Sequence, residues 1–417
     1  MVDRINKEFF IGSATSAFQV EGNNINSDTW LEERAYKSNY ADYSGDAVNH
    51  YDLYEQDIKL MSDLGLKAYR FSIEWARIEP AENCFSDAAV NHYLNVLKSC
   101  EKYNIIPIVT LHHFTSPIWF IKLGGWGNAN APQLFQRYAG YVMERLGKMI
   151  PYVVTINEMN MPLALKNLHS KLNNIPPIGV NIDKWEPSET QNYVAKSFGI
   201  DAKKYVPFLI ASTEENLEII KRSHVLARSK IREVSPNTKV GASFALSDMQ
   251  YINEGREFAE KKWSVHFRTF LEEIRKDDFI GVQTYTREVF DTNGIKAACD
   301  RKTQTGYEYY PKAIQGVLEK ISEEVKIPVL ITENGIATDK DEERISYITE
   351  ALYSVRECIK KGIDVIGYLY WSTFDNYEWQ QGYAKTFGII AVDRNTQKRM
   401  VKPSGRYLGE LAKNFKL

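Results

Sequence analysis

Two short segments of the chain each place a glutamate directly after an apolar, β-branched run. Thr155-Ile156-Asn157-Glu158 follows Tyr152 to Val154, and Ile331-Thr332-Glu333-Asn334-Gly335 follows Pro328 to Leu330. Such runs are typical of buried parallel strands, so each glutamate is predicted at the C-terminal end of a strand. In an α/β barrel these strand ends carry the active site, so the pattern predicts a paired-carboxylate site. Paired carboxylates of this kind are the machinery of glycoside hydrolysis.

Eight candidate strands alternate with segments of helical spacing. The strands are predicted at 9–18, 68–75, 105–114, 152–158, 239–246, 278–285, 329–333 and 365–371. Apolar faces with helical spacing lie between them, for example Leu217, Ile220, Ala227 and Ile231. Strict alternation predicts a parallel sheet, and eight units predict closure into one (β/α)8 TIM barrel over residues 1–417. The stretch 159–211 is too long for a simple loop and is predicted to be an insertion at the mouth of the site.

Composition is compatible with one soluble enzyme domain. The 417 residues contain no low-complexity run or linker-like stretch, and the net charge of −2 favours neither nucleic acid nor an anionic membrane as a partner. The first ten residues lack the pattern of a signal peptide, and no run reaches the roughly 18 apolar residues of a membrane span, so a cytoplasmic protein is expected. Four cysteines are scattered without metal-ligand spacing, which favours buried free thiols. We expect no metal and no cofactor.

Several polar and aromatic residues at other strand ends converge with the two glutamates. Arg70, Tyr285 and Trp371 each fall near the end of a predicted strand. An arginine and a tyrosine hydroxyl beside a carboxylate favour its ionised form, which a nucleophile needs. Asn157 offers an amide that can donate to or accept from a sugar hydroxyl, although it and Glu158 reach the same site only where the strand loses its regular alternation.

Six ordered motifs make the chain resemble family 1 of the glycoside hydrolases, the β-glucosidase family. They are Phe18-Gln19-Val20-Glu21-Gly22, Tyr69-Arg70-Phe71-Ser72-Ile73-Glu74-Trp75, Thr155-Ile156-Asn157-Glu158, Phe279-Ile280-Gly281, Ile331-Thr332-Glu333-Asn334-Gly335, and Tyr370-Trp371-Ser372 leading to Asp375-Asn376-Tyr377-Glu378-Trp379. The resemblance runs from about Phe9 to Tyr407. It implies a β-glycosidase that retains anomeric configuration through a covalent glycosyl-enzyme.

The resemblance also implies a role for each matching residue. Glu158 would be the general acid/base and Glu333 the nucleophile, with Arg70 and Tyr285 orienting the nucleophile. The residues that would bind the sugar are Gln19, His113, Asn157, Trp371, Glu378 and Trp379, with Trp371 as the platform beneath the ring. The expected partner is a small β-glycoside or oligosaccharide.

Departures from the family pattern concern the surroundings of the site. Met159 replaces the usual Pro, and Gln283-Thr284 replaces the usual Asn-Tyr. A branch of the family that acts on 6-phosphorylated sugars has a Ser, a Lys and a Tyr where this chain has Trp379, Lys385 and Phe387. Two of the three differ, and Glu378 would repel a phosphate, so a neutral sugar is predicted.

Three functions remain open at this point. Hydrolysis is favoured, but a transglycosylase uses the same covalent intermediate, and a catalytically silent sugar-binding barrel is a remote third. The spacing of the motifs does not separate glucose from galactose or fucose, because that choice depends on how side chains meet one axial or equatorial hydroxyl.

Overall fold

The computed structural model describes residues 9–166, 168, 177–180, 187–296 and 301–414. Parallel strands form its centre, and they are β1 Phe10–Ala14, β2 Ala68–Ser72, β3 Ile106–His112, β4 Tyr152–Ile156, β5 Lys239–Gly241, β6 Ser243–Ala245, β8 Ile280–Gln283, β11 Val329–Asn334 and β12 Val365–Trp371. Neighbouring strands follow the order β5-β4-β3-β2-β1-β12-β11-β8-β6. The predicted TIM barrel is confirmed.

The nine strand segments correspond to eight barrel strands, since β5 and β6 are two halves of one strand. They are separated by Ala242, whose carbonyl accepts a hydrogen bond of 2.8 Å from the amide of Gly281. β5 pairs with β4 and β6 pairs with β8, so the broken strand bridges the two ends of the sheet. The predicted strand 239–246 therefore exists, but with one irregular residue at its centre.

Helices cover the outside of the barrel. They are α1 Ala17–Val20, α2 Asp28–Glu32, α3 His50–Leu64, α4 Trp75–Ile78, α5 Asp87–Lys102, α6 Ile118–Lys122, α7 Ala131–Leu146, α8 Met161–Lys166, α9 Pro187–Phe198, α10 Glu214–Val234, α11 Arg256–His266, α12 Leu271–Ile274, α13 Ala313–Glu324, α14 Asp341–Lys360 and α15 Pro403–Asn414. The predicted apolar face of α10 is buried, and the helix begins at Thr213, whose hydroxyl accepts from the amide of Asn216. No helix in the described ranges is long and apolar enough to cross a bilayer.

Two hydrophobic layers hold these elements together. The larger one lies between the sheet and the helices, and a smaller one fills the barrel interior with residues such as Phe10, Ile108, Val154 and Leu369. Because side chains fill the interior, the barrel has no pore through it, and the C-terminal ends of the strands are the place for a site.

Five smaller strands lie outside the barrel sheet in the described part of the chain. They are β7 Asp248–Tyr251, β9 Arg287–Asp291 and β10 Gly294–Ile295, which form one sheet, and the hairpin of β13 Ile390–Asp393 with β14 Lys398–Val401. The predicted insertion 159–211 contains α8 and α9, but residues 167, 169–176 and 181–186 lie outside the described part, so the insertion as a whole stays a prediction.

The predicted strands are mostly longer than the observed ones at their C-terminal ends. The predicted strand 9–18 stops at Ala14 and continues into the short helix α1, and the strand 152–158 stops at Ile156. These ends depart from regular extended backbone where the side chains of the site project. Among the cysteines, Cys100 and Cys358 are buried free thiols as expected, whereas Cys84 is exposed and Cys299 lies outside the described residues.

Candidate active site

A cavity of about 410 Å³ lies at the C-terminal ends of the barrel strands. Nine of the ten residues that the sequence nominated line it: Gln19, His113, Asn157, Glu158, Tyr285, Glu333, Trp371, Glu378 and Trp379. The tenth, Arg70, is fully buried and contacts both Glu333 and Asn157. The tertiary structure thus brings together residues from α1 to the segment after β12, which lie more than 350 positions apart.

Glu333 is held by three donors. Arg70 Nη1 donates to Oε1 at 2.5 Å, Gln283 Nε2 donates to the same oxygen at 2.9 Å, and the Tyr285 hydroxyl donates to Oε2 at 2.6 Å. The register of β11 shifts between Ile331 and Glu333 relative to β8, and this irregularity accompanies the glutamate's place at the cavity. The carboxylate is fixed in one orientation with a cation beside it.

Glu158 lies on backbone that has left the strand. Its φ is +47°, in the left-handed region that non-glycine residues seldom occupy. The backbone amide of Glu158 donates to the Ser243 hydroxyl at 3.1 Å. The next amide, that of Met159, donates to the Ser243 carbonyl at 2.9 Å. This turn brings Asn157 and Glu158 to the same cavity, which regular strand alternation would forbid.

The surroundings of the two glutamates favour different protonation states. Burial raises the pKa of Glu158 well above its ordinary value, with Glu333 and Glu378 adding to the rise and Arg70 opposing it. Burial also raises the pKa of Glu333, but Arg70 and Tyr285 lower it. A proton shared between the two therefore resides on Glu158. One carboxylic acid beside one carboxylate is the arrangement that a two-step displacement at an acetal carbon uses.

Asn157 presents its amide nitrogen to the cavity because its oxygen is already occupied. Oδ1 accepts from Arg70 Nη2 at 2.5 Å, from Gln283 Nε2 at 2.7 Å and from the Ser243 hydroxyl at 3.1 Å. Nδ2 lies 3.3 Å from His113 Nε2. The sequence allowed Asn157 to donate or accept, and these contacts leave it to donate to a ligand.

His112, the last residue of β3, and His113, the next residue, point in different directions. His112 Nε2 lies 3.1 Å from the Ser116 hydroxyl, away from the cavity, whereas His113 lines it. Burial, with Arg70 and His112, lowers the pKa of His113 well below its ordinary value. Since Nε2 of this neutral ring faces the Asn157 amide, its proton is assigned to Nδ1, which can donate to a hydroxyl.

The part of the cavity lined by Gln19, Glu378, Trp371 and Trp379 combines hydrogen-bonding groups with aromatic rings. Gln19 Nε2 donates to the Tyr377 carbonyl at 2.8 Å and lies 3.4 Å from Glu378 Oε2. Trp379 stacks on Phe18 with ring centroids 5.7 Å apart, and Trp371 is 3% exposed. Polar groups around a rim and an aromatic face suit a sugar, which has hydroxyls in its plane and an apolar C–H face.

Two residues of this network were missed by sequence reasoning. Gln283 was noted only as a departure from the family pattern, and Ser243 carried no signal at all. Both bond to Asn157, and Gln283 bonds to Glu333 as well. The departure at Gln283 was the available signal, since it lies two residues before Tyr285 on a strand that ends at the site.

Of the three positions that would distinguish a phosphosugar enzyme, Lys385 alone provides a cation, and it does not line the cavity as described. The Lys385 ammonium donates to the Gln304 carbonyl at 2.8 Å, and Phe387 is buried. In the described part of the chain, the cavity lining includes no lysine or arginine. Burial raises the pKa of Glu378 to about 8, with Glu333 adding to the rise, so Glu378 is mostly neutral at pH 7. Its expected repulsion of a phosphate is therefore weak at that pH, and the argument for a neutral sugar depends on the absence of lysine and arginine from the described cavity lining.

A TIM barrel with two glutamates at strand ends, of which only Glu333 is bonded to a cation among the described residues, is the arrangement that glycoside hydrolases use. The family model "Glycosyl hydrolase family 1" matches residues 1–276 and 247–417. The chain belongs to glycosyl hydrolase family 1 and acts on O-glycosyl bonds. The resemblance stated from the motifs is confirmed.

Three relatives illustrate the range of the similarity. A β-glucosidase of Agrobacterium sp. is 30% identical over 441 residues, which cover 98% of this chain and 95% of that protein. The 6-phospho-β-galactosidase 1 of Streptococcus pneumoniae is 29% identical over 474 residues and 99% of each chain. The crystal structure of β-glycosidase BGL167 matches with a TM-score of 0.91 and 41% identity, covering 97% of this chain and 96% of that one.

Proposed function

We propose that this protein is an exo-acting, retaining β-glycosidase that removes a neutral sugar from a small aglycone or oligosaccharide. The observation that carries the proposal is the asymmetric pair in one cavity: Glu158 has no ion pair among the described residues, whereas Glu333 is bonded to Arg70, Gln283 and Tyr285.

In the first step, Glu333 attacks the anomeric carbon while Glu158 donates its proton to the departing oxygen. A covalent glycosyl-enzyme forms and the aglycone leaves as an alcohol. In the second step, Glu158 takes a proton from water, which attacks the anomeric carbon and releases Glu333 as a carboxylate. Two inversions give net retention.

The remaining residues have supporting roles in this proposal. Arg70 and Tyr285 keep Glu333 ionised and aimed, and the Asn157 amide donates to the 2-hydroxyl of the sugar. Gln19, His113, Glu378 and Trp379 bind the other hydroxyls, with Trp371 beneath the ring. The sugar is placed by contacts on all sides, which supplies the orientation that the displacement requires.

The first test is a panel of nitrophenyl β-glycosides with the wild-type protein and Glu333→Gln. The expected result is turnover of at least one glycoside, with retained anomeric configuration by NMR, and loss of turnover in the variant. Inverted product from the wild-type protein, or undiminished turnover in Glu333→Gln, would contradict the mechanism.

A neutral sugar is proposed because no cation is placed to hold a phosphate in the described cavity lining. The measurement compares nitrophenyl β-glucoside with its 6-phosphate. A clear preference for the phosphate would overturn this part of the proposal, and the likeness to a 6-phospho-β-galactosidase makes the comparison necessary.

Transglycosylation and silent sugar binding are less well supported. A silent barrel would have no use for the oriented Glu333 and its three donors. Transglycosylation shares every step up to the covalent intermediate, so product analysis with an added sugar acceptor separates it from hydrolysis. The single catalytic domain over residues 1–417 and the cytoplasmic location stay predictions.

A further inference from the structure

Ser243 contacts two residues of the proposed site without reaching the cavity itself. It is the first residue of β6, directly after the irregular residue Ala242, and it is fully buried. Its hydroxyl contacts three atoms: the Glu158 amide nitrogen at 3.1 Å, Asn157 Oδ1 at 3.1 Å and Gln283 Nε2 at 3.2 Å. The catalytic cavity, as described, is not lined by Ser243. Any influence of Ser243 on the reaction therefore passes through the residues that it binds.

The hydrogen bonds of this hydroxyl have one possible arrangement. The Glu158 amide and Gln283 Nε2 can only donate, so the hydroxyl accepts from both. Asn157 Oδ1 can only accept, so it receives the single hydroxyl hydrogen. A serine hydroxyl has one hydrogen and two acceptor positions, and all of them are used here. An alanine at position 243 would therefore remove three hydrogen bonds at once.

Gln283 connects this hydroxyl to the proposed nucleophile. Its Nε2 lies 2.9 Å from Glu333 Oε1 and 2.7 Å from Asn157 Oδ1, in addition to its contact with Ser243. Arg70 donates to both of these oxygens, which assigns the nitrogen of the glutamine amide, not its oxygen, to this side. Gln283 is fully buried and, like Ser243, absent from the described lining of the catalytic cavity. The network therefore runs from the backbone of the proposed acid to the carboxylate of the proposed nucleophile.

The backbone at Glu158 depends on its neighbours because its φ is +47°. Left-handed backbone is strained for a residue with a side chain and persists only where the surrounding structure holds it. Ser243 holds this turn at two points, since its hydroxyl accepts from the Glu158 amide and its carbonyl accepts from the Met159 amide. A Cβ on Gly281 would lie 2.7 Å from Ser243 Cβ, so only a glycine there lets the serine sit this close. The direction in which the Glu158 side chain projects therefore depends on Ser243.

We propose that Ser243 is a positioning residue that holds Glu158 and Asn157 as one unit. Its hydroxyl fixes the backbone from which the acid projects. The same hydroxyl is one of three donors to Asn157 Oδ1, and these donors keep the amide nitrogen toward the cavity. Gln283 links the unit to Glu333. This inference rests on the proposed glycosidase function and adds the residues that control proton donation and recognition of the 2-hydroxyl.

The test follows two substrate ratios in Ser243→Ala, because a general loss of structure would lower all rates alike. The first is kcat/KM for methyl β-glucoside over that for dinitrophenyl β-glucoside, which reports proton donation by Glu158. The second is kcat/KM for nitrophenyl β-glucoside over that for its 2-deoxy analogue, which reports the Asn157 contact. We expect each ratio to fall about three- to tenfold relative to the wild-type protein, as for the loss of a hydrogen bond. If glucose is not the preferred sugar, the same substrates are built on the preferred one.

Ser354→Ala is the matched control. Ser354 is 1% exposed on the outer helix α14, where its hydroxyl donates to the Glu350 carbonyl at 2.9 Å. Both ratios are expected to keep their wild-type values in this variant. Ser243→Thr retains a hydroxyl, so its ratios should lie closer to the wild-type values than those of Ser243→Ala. Ratios in Ser243→Thr as low as those in Ser243→Ala would count against the hydroxyl as the cause.

Gln283→Met provides a second variant, which keeps the inference testable if Ser243→Ala does not fold. It keeps the length of the side chain and removes the donor to Asn157, so the 2-deoxy ratio should fall by about threefold or more. Because Nε2 donates to the Ser243 hydroxyl, the loss in the double variant Ser243→Ala/Gln283→Met should be smaller than the product of the two single losses. Losses that simply multiply would contradict the shared network.

The outcomes separate this inference from the proposed function. Wild-type turnover with both ratios unchanged in folded Ser243→Ala would overturn the inference and leave the glycosidase proposal standing. Equal losses on all the substrates would also overturn it, because they would indicate a structural role alone. A fall in only one ratio would contradict the single unit. No wild-type turnover of any aryl glycoside would count against the glycosidase proposal, and the inference would fall with it.

Discussion

Arg70 and Glu333 form a buried ion pair, with Nη1 2.5 Å from Oε1 and side-chain exposures of 0% and 5%. The same guanidinium donates from Nη2 to Asn157 Oδ1 at 2.5 Å. One cation therefore fixes both the proposed nucleophile and the amide proposed to bind the 2-hydroxyl. Movement of Arg70 would disturb the two together, so we expect nucleophile orientation and 2-hydroxyl recognition to be coupled.

Replacement of Glu333 by Ala is expected to abolish hydrolysis of all glycosides. Loss of a covalent nucleophile costs on the order of 10⁶ in turnover in well-studied enzymes. Because the alanine leaves space beside the anomeric carbon, added azide should restore part of the turnover of an activated glycoside, with inverted product visible by NMR. Azide rescue with retained configuration, or none in a folded variant, would argue against Glu333 as the nucleophile. Glu357→Ala, at a residue on the outer helix α14, serves as the control.

Replacement of Glu158 by Gln should damage poor leaving groups far more than good ones. Proton donation contributes roughly 10²- to 10⁴-fold, and a methyl glycoside needs it whereas a dinitrophenyl glycoside needs little. We expect kcat/KM for the methyl glycoside to fall by about that factor while the dinitrophenyl value changes much less. Equal losses on both substrates would rule out Glu158 as the acid.

The Tyr285 hydroxyl is expected to set the acidic limb of the pH profile. It donates to Glu333 Oε2 at 2.6 Å and lowers the pKa of Glu333, which burial raises. In Tyr285→Phe the pKa of Glu333 should rise further, so the fall of kcat/KM on acidification should begin at higher pH than in the wild-type protein. The measurement is the pH dependence of kcat/KM from pH 4 to 9. Tyr353→Phe, at an exposed tyrosine, should leave the profile unchanged.

Stability should depend on a buried network outside the site. Asp57 on α3 accepts from Arg399 Nε and Nη2 at 2.7 and 2.8 Å, and its Oδ2 lies 2.8 Å from His50 Nδ1. Asp57→Ala leaves Arg399 buried without its partner and should lower the free energy of unfolding by about 3–5 kcal/mol. Urea unfolding at pH 7 measures the loss. Asp63→Ala, which removes an exposed partner of Lys59 on the same helix, should cost less than about 1 kcal/mol.

The same network gives a pH dependence with a defined sign. Burial alone would raise the pKa of Asp57, but Arg399 and His50 outweigh it and the pKa is lowered. A carboxyl with a depressed native pKa adds stability above its unfolded value of about 3.9, and loses that contribution as the pH falls through the lower native value. Wild-type stability should therefore decline below about pH 4, and Asp57→Asn should show a weaker decline in unfolding experiments over that range.

The barrel was predictable because its strands are buried on both faces. Each strand reads as a short apolar run, and each major helix carries one apolar face, so periodicity alone indicated eight alternating units. The ends of the strands were less predictable, because the chain leaves regular geometry there: Glu158 has a positive φ, and β11 shifts its register beside Glu333. Such departures depend on neighbouring strands, which local patterns do not record.

The sequence by itself determined the barrel, the two glutamates and the family, because buried strands and ordered motifs leave a signal within a few residues. Only the tertiary structure decided which atoms remain available. It showed that Asn157 can only donate, that burial raises the pKa of Glu378, and that Gln283 joins Glu333 to Asn157. Hydrogen-bond saturation and desolvation arise between residues distant in sequence, since they depend on which groups share a buried space.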